Sequence, residues 1–150
     1  MSKQTDLVIF ACVHNAGRSQ MAAAFFNQFA DPHKARAISA GTEPANQVHD
    51  VVVAAMLEEN IDLSRAKPQL LTQELAAGAR LLVTMGCGEN CPYVTGLERQ
   101  DWPLPDPKGQ SINEVRKTRE EIKTKVIALL IALDALANTD NDNVSKAVSK

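Results

Sequence analysis

Three short apolar runs, separated by segments with helical features, constrain the fold of this 150-residue chain more than any other feature of its sequence. Residues 7–12 and 80–85 form continuous, largely aliphatic runs, as expected of strands that are buried on both faces. A third run, residues 35–40, stops at Gly41. Strands that alternate with helices predict right-handed βαβ units around one parallel sheet. We therefore expect an α/β fold whose ligands bind beyond the carboxyl ends of the strands.

Helix formers, periodic apolar side chains or capping residues predict four helices, at residues 19–29, 46–59, 72–77 and 111–136. Thr72 is the expected N-cap of the third helix. In the fourth, Ser111 followed by Glu114 has the pattern of a capping box. Residues 102–107 contain too many prolines for a central strand, so at most a short edge strand is expected before them.

The length fits one domain, which we place at residues 1–137, followed by a polar tail at residues 138–150 that we expect to be disordered. The net charge is −2, the isoelectric point is about 5.9, and no basic stretch stands out, which argues against a nucleic-acid partner. No apolar run has the length of a signal peptide or a membrane span. We therefore expect a cytoplasmic monomer that does not associate with membranes.

Three cysteines in a chain without an export signal make a structural disulfide framework improbable, so reactive or metal-binding thiols are the better prediction. Cys87 and Cys91 could combine with a histidine in a metal or arsenite sensor. A single C-x3-C pair without a second pair of ligands is a weak metal signal. We accordingly predict no metal site.

The motif with the clearest chemical meaning is a cysteine, five residues, an arginine and a serine, between a buried strand and a helix. In this setting the backbone N–H groups of the loop can form an anion nest beside the helix N-terminus. Arg18 offers a planar fork to two oxygens of a tetrahedral oxyanion, and the same positive environment favours the thiolate of Cys12. Ser19 can donate a hydrogen bond to that thiolate. The predicted oxyanion-binding residues are Val13, His14, Asn15, Ala16, Gly17, Arg18 and Ser19.

Two simpler interpretations remain open from the residues alone. Cys12 could be an ordinary buried thiol and Arg18 a solvated residue at the start of a helix. Asp106, which precedes Pro107, could protonate a leaving oxygen as a general acid if it lies over the nest. An Asp-Pro pair is also common in plain turns.

Taken together, the 12–19 motif, the Ser39-Ala-Gly-Thr42 segment after the second strand and the Asp106-Pro107 pair resemble the low-molecular-weight protein tyrosine phosphatase and arsenate reductase superfamily. The resemblance covers nearly the whole chain. It implies a three-layer sandwich with a four-stranded parallel sheet flanked by helices. It also implies that Cys12 is the nucleophile, that Arg18 binds the oxyanion and that Asp106 is the general acid.

Two features resemble the arsenate reductase branch more than the phosphatase branch. Lys108 and Gly109 follow the Asp-Pro pair, where phosphatases of the family usually carry aromatic residues. Cys87 and Cys91 lie in the segment where the reductases carry redox cysteines. The resemblance therefore implies an arsenate reductase, with a phosphatase acting on phosphate monoesters as the alternative.

The reductant is left open by the same resemblance. After Cys12 attacks arsenate, Cys87 and then Cys91 could complete an internal disulfide cascade. However, two features look more like members that use a small thiol. One is the spacing between Cys87 and Cys91, and the other is Gly17, where thioredoxin-coupled members have a cysteine. We therefore expect no bound cofactor and an external reductant: thioredoxin, or mycothiol or glutathione with a glutaredoxin-like redoxin.

Overall fold

The computed structural model describes residues 5–86 and 96–137. The elements of these ranges are β1 Asp6–Cys12, α1 Arg18–Phe29, β2 Ala35–Gly41, α2 Asp50–Leu57, α3 Gln73–Ala77, β3 Leu81–Thr84, β4 Glu98–Asp101 and α4 Ile112–Ala132. Cys87, Cys91 and the predicted disordered tail lie outside the described residues. Within the described ranges, no helix is long and apolar enough to cross a membrane.

The four strands form one parallel sheet in the order β2-β1-β3-β4, which confirms the expected four-stranded parallel sheet. β1 is central, and its Cys12 end pairs with Gly41 of β2 while Ala11 pairs with Thr84 of β3. β4 is an edge strand with mostly exposed residues, as the proline-rich sequence after it predicts.

Helices cover both faces of the sheet and complete the expected three-layer sandwich. Val8 and Phe10 of β1 belong to the larger core cluster, together with buried residues of α1, α2 and α4. Ile9 and Ala11, which alternate with them, belong to a smaller cluster that includes Ala76 of α3. Trp102 is buried in the larger cluster with its ring 5.5 Å from that of Phe10, so it is a packing residue.

The prediction that the second helix begins at residue 46 was wrong, because α2 begins at Asp50. The backbone before it is committed to tertiary hydrogen bonds: the Ala45 N–H donates to His14 O and the His49 N–H donates to Ala16 O, both at 2.9 Å. His49 itself has the non-helical angles φ −59° and ψ 137°. The apolar periodicity that predicts a helix from residue 46 is thus outweighed by contacts that a local pattern does not reveal.

The last helix also ends earlier than predicted, at Ala132 instead of residue 136. Asp134 adopts a left-handed conformation with φ 54°, and the Ala135 N–H donates to Leu130 O at 2.9 Å. These features are those of a Schellman ending, with an aspartate in the position usually taken by glycine.

The two predicted N-caps are confirmed. Thr72 Oγ1 accepts a hydrogen bond from the Leu75 N–H at 3.0 Å, and Ser111 Oγ accepts one from the Glu114 N–H at 3.2 Å. The Glu114 side chain, which a capping box would direct back to Ser111, pairs with Lys117 at 3.1 Å.

Candidate active site

The loop of residues 12–19, here called the nest loop, connects the central strand β1 to α1. β1 lies between β2 and β3, so the chain leaves it towards β2 and later returns on its other side as β3. Such a switch point leaves a crevice outside the carboxyl ends of the strands. Cys12 ends β1 in this crevice, and Gly86 follows shortly after the end of β3.

A second segment, residues 42–49, lies along the nest loop and is here called the strap. Four N–H groups of the strap donate to four carbonyl oxygens of the nest loop: Thr42 to Cys12, Glu43 to Val13, Ala45 to His14 and His49 to Ala16, at 3.3, 2.8, 2.9 and 2.9 Å. In a trans peptide, a carbonyl and the following N–H point in opposite directions. Carbonyls turned towards the strap therefore turn the following N–H groups away from it, as an anion nest requires.

Asn15 fixes the conformation of the nest loop from within. It is fully buried and has φ 52°, in the left-handed region that asparagine tolerates better than most residues. Its Oδ1 accepts from the Gln69 N–H at 2.8 Å, and its Nδ2 donates to Ser19 Oγ at 2.8 Å. Gln69 was not identified from the sequence, since 54 residues separate it from Asn15.

These bonds determine the direction of the hydrogen bond at the thiol. Cys12 Sγ and Ser19 Oγ are 2.9 Å apart, and either atom could be the donor. The Gln69 N–H can bond only to an oxygen, so it fixes the Asn15 amide with Nδ2 towards Ser19. Ser19 Oγ then accepts from Asn15 and has its own hydrogen free for Cys12. The arrangement places a hydroxyl donor at the sulfur of Cys12, as the sequence predicts for Ser19.

Arg18 lies at the mouth of the nest loop and is 7% exposed. Its Nη1 donates to Leu104 O at 3.1 Å, and its guanidinium packs against Gly86, where a Cβ would overlap Nη1. Nε is buried and has no hydrogen-bond partner among the described residues. Since buried donors are nearly always paired, an oxygen of a bound oxyanion fits this position.

Asp106 lies next to Arg18, with 3.7 Å between Asp106 Oδ2 and Arg18 Nη2. Its side chain is 43% exposed, and its Oδ1 accepts a hydrogen bond from the Lys108 N–H at 3.0 Å. The structure thus brings the Asp-Pro turn to the nest loop, where the sequence prediction requires it. Cys87 and Cys91 fall outside the described residues, so their predicted proximity stays a prediction.

His49, which directly precedes α2, is a partly buried neighbour of the site. Burial lowers its pKa below the usual value; Asp106 opposes this effect, and His14, Lys108 and Arg18 reinforce it. His49 therefore belongs to the charged surroundings of the nest loop. Its position directly before α2 offered no sequence signal of this role. His14 contacts the strap through Nδ1, which lies 3.1 Å from Glu43 O.

The turn after Asp106 presents an exposed lysine and a glycine with φ 76°. The aromatic side chains of the described ranges are used in packing: Phe10, Phe25, Phe26 and Trp102 are buried, and Phe29 stacks on Phe25. Tyr93 lies outside those ranges. The same ranges contain no group of three or more His, Cys, Asp or Glu residues that could hold a metal ion.

Residues 7–141 match the family described as low molecular weight phosphotyrosine protein phosphatase. The chain is 36% identical over 124 residues to a putative arsenate reductase of Halobacterium salinarum, a match that covers 80% of this chain and 87% of that protein. It is 33% identical over 131 residues to an arsenate reductase of Staphylococcus aureus, which covers 84% and 95%. Among solved structures, the thioredoxin-dependent arsenate reductase of Corynebacterium glutamicum superposes with a TM-score of 0.76 at 33% identity. That match covers 89% of this chain and 64% of the other, so this chain spans just under two thirds of its length.

Proposed function

This chain belongs to the low molecular weight phosphotyrosine protein phosphatase family, and we propose that it is an arsenate reductase, which converts arsenate to arsenite at the nest loop. One observation carries the proposal: the buried sulfur of Cys12 lies 2.9 Å from the Ser19 hydroxyl within the nest loop. Arg18 of the same loop lies next to Asp106. The names of the relatives support the choice of arsenate as substrate.

In the first step, the N–H groups of the nest loop and the Arg18 fork hold the oxygens of arsenate, and the Cys12 thiolate attacks arsenic. An As–S bond forms and an As–O bond breaks. The Asp106 carboxyl gives its proton to the departing hydroxyl oxygen of arsenate, which leaves as water. The product is an adduct of Cys12 with arsenic still in the +5 state.

In the second step, another thiolate attacks the Cys12 sulfur. An S–S bond forms, and the As–S bond breaks with its electron pair going to arsenic. Arsenic is reduced from +5 to +3 and leaves as arsenite, while the two sulfurs are oxidised to a disulfide. An external thiol reductant then restores the Cys12 thiol.

The second thiol has two possible sources. In an internal cascade, Cys87 attacks Cys12, and Cys91 then displaces Cys12 to leave a Cys87–Cys91 disulfide for a thioredoxin-like protein. In the external route, a small thiol such as mycothiol or glutathione attacks the adduct, and a redoxin reduces the mixed disulfide. The presence of the Cys87 and Cys91 pair favours the first route; their short spacing favours the second.

Phosphate monoester hydrolysis is the alternative function, because the nest loop suits phosphate as well as arsenate and the family is described as a phosphatase family. In that reaction water would hydrolyse a phosphorylated Cys12. The turn after Asp106 argues against an aromatic substrate, since Lys108 and Gly109 offer no ring to stack on one.

The deciding experiment is an arsenate reduction assay on the purified chain with three reductants in parallel: thioredoxin, glutaredoxin with glutathione, and mycoredoxin with mycothiol. We expect arsenite to form with at least one system, and the active system identifies the reductant. The Cys12→Ser variant is the control and should form none. Hydrolysis of aryl phosphates without arsenite in any of the three systems would establish the phosphatase alternative.

A further inference from the structure

We infer that Gly17 is a positioning residue: it leaves the space in which the Pro107 ring is seated, and this seat holds the Asp106 carboxylate over the nest loop. The inference deepens the proposed function and rests on the role proposed there for Asp106 as the general acid.

The space at Gly17 is filled by the proline ring. A Cβ on Gly17 would overlap Pro107 Cγ, and it would lie 3.2 Å from Pro107 Cδ and 3.5 Å from Val52 Cγ2. Val52 is fully buried in the core, so an added Cβ has little room on that side and the overlap falls on the proline ring. Gly17 has φ −148°, outside the left-handed region, and its close packing against the proline ring is itself a reason for a glycine here.

Pro107 is also the buried residue of an otherwise exposed turn. Asp106, Lys108 and Gly109 are all exposed. Within the turn, Asp106 Oδ1 accepts from the Lys108 N–H at 3.0 Å, and Pro107 O accepts from the Gln110 N–H at 3.0 Å. These two hydrogen bonds hold the turn in one conformation, and the Pro107 ring packs this turn against the nest loop.

The seat therefore accounts for the position of a carboxylate that is itself 43% exposed and 3.7 Å from Arg18 Nη2. A weak surface ion pair alone would hold such a side chain poorly. Because the Pro107 ring packs against Gly17, this residue of the nest loop also sets the position of the proton donor, Asp106.

The Gly17→Ala variant should push Pro107 and Asp106 away from Arg18. Removing the ring relieves the overlap, so adding Pro107→Ala to Gly17→Ala should bring the turn back towards its place. Gly78→Ala is the matched control, since a Cβ there would meet its nearest neighbour, Leu75 O, at an ordinary 3.8 Å.

Two measurements test this: crystal structures of the variants, and their hydrolysis of phenyl phosphate and 4-nitrophenyl phosphate. A positioned general acid contributes about 10²- to 10⁴-fold, and it matters most for a poor leaving group. We expect Gly17→Ala to lose roughly tenfold to a hundredfold on phenyl phosphate and less on 4-nitrophenyl phosphate, a selective loss that damage to the nest would not produce. In an Asp106→Asn background, Gly17→Ala should cost little more.

The inference is overturned if Asp106 stays within its present distance of Arg18 in the Gly17→Ala crystal, or if both esters are slowed equally. It is also overturned if Pro107→Ala gives no recovery. Neither measurement uses arsenate. A failure to reduce arsenate would therefore refute the proposed function without refuting the role of Gly17 in positioning Pro107 and Asp106. If neither ester is hydrolysed, the crystal structures decide.

Discussion

Cys12 stands at the end of a chain of hydrogen bonds that begins at the Gln69 N–H and passes through the Asn15 amide and the Ser19 hydroxyl. Each bond has one possible direction once the first is fixed, because a backbone N–H can only donate. The chain ends with a hydroxyl hydrogen at the sulfur, so a thiolate has a donor before any substrate arrives. Hydrogen bonds to charged groups are typically worth about 1.5–3 kcal/mol.

The Cys12→Ser variant tests the nucleophile directly. A serine hydroxyl is far less nucleophilic than a thiolate, so arsenate reduction should fall to background, while the N–H groups and Arg18 still bind the anion. Reduction is measured as arsenite formed, and binding as calorimetric titration with phosphate. Sustained turnover by this variant would show that another group attacks arsenic.

Arg18→Lys probes the geometry of the anion site at constant charge. A lysine ammonium cannot reproduce a planar fork that contacts Leu104 O, lies beside Asp106 and keeps a buried Nε without a partner among the described residues. We expect phosphate affinity and catalytic efficiency to fall by roughly a hundredfold, the equivalent of one or two charge-assisted hydrogen bonds. Near-normal catalytic efficiency would mean that a positive charge alone suffices and that the planar fork of Arg18 is not needed to bind the oxyanion.

At the scale of elements, the strap explains why the second helix starts late. Four strap N–H groups hold four carbonyls of the nest loop, so these residues cannot also form a helical turn. Gly41, at the end of β2, allows the close approach, because a Cβ there would lie 2.6 Å from Val13 O. The strand end and the strap together shape the nest loop.

Charged side chains join the C-terminal end of α2 to α4. Glu58, just past the end of α2, accepts hydrogen bonds from Arg116 and from Arg119, whose side chain is 10% exposed. Arg119 also donates to Ala55 O at 2.8 Å. The hydrogen bonds from Arg116 and then Arg119 lower the pKa of Glu58 from 4.5 to about 2.

This shift predicts a pH dependence of stability. Because the pKa of Glu58 is lower in the folded chain, its contribution is complete above pH 4.5 and is lost as the pH falls towards 2. Glu58→Gln should therefore reduce the free energy of unfolding at pH 6 and make it less sensitive to pH between 5 and 3. Urea denaturation across that range measures both effects.

Glu121→Gln is the control for this experiment, since Glu121 is an exposed glutamate on α4, the helix that carries Arg116 and Arg119. It should leave the pH dependence close to that of the unaltered chain. Equal slopes for Glu58→Gln and the unaltered chain would show that the two arginines do not act on Glu58 in solution.

At the scale of the whole molecule, the strand order places the ends of β1 and β3 side by side, so Gly86 meets Arg18 across the crevice. Cys87 is the next residue along the chain. Gly86, the last described residue before the cysteine-bearing segment, thus lies next to the guanidinium that is proposed to bind arsenate.

The Cys87→Ser, Cys91→Ser double variant separates the two routes of reduction. If the cascade is internal, Cys87→Ser stops after one attack on arsenate, and Cys91→Ser accumulates a Cys12–Cys87 disulfide that peptide mass spectrometry detects after thiol blocking. We expect the double variant to lose multiple turnover with thioredoxin. Full turnover with a small thiol and its redoxin would eliminate the internal cascade and leave Cys12 as the essential thiol.

Local sequence is enough to predict the α/β class, the buried strands, the N-caps at Thr72 and Ser111, and the motif from Cys12 to Ser19. Each of these depends on residues close together in the chain, where periodicity, capping and loop chemistry act locally. Tertiary structure decided the rest: the late start of α2, the Gln69 bond to Asn15, the position of His49 and the seat of Pro107 against Gly17. Those contacts join residues from about 30 to 90 positions apart. They arise from hydrogen bonds and packing that form only when the sheet brings distant segments together, and no local pattern records them.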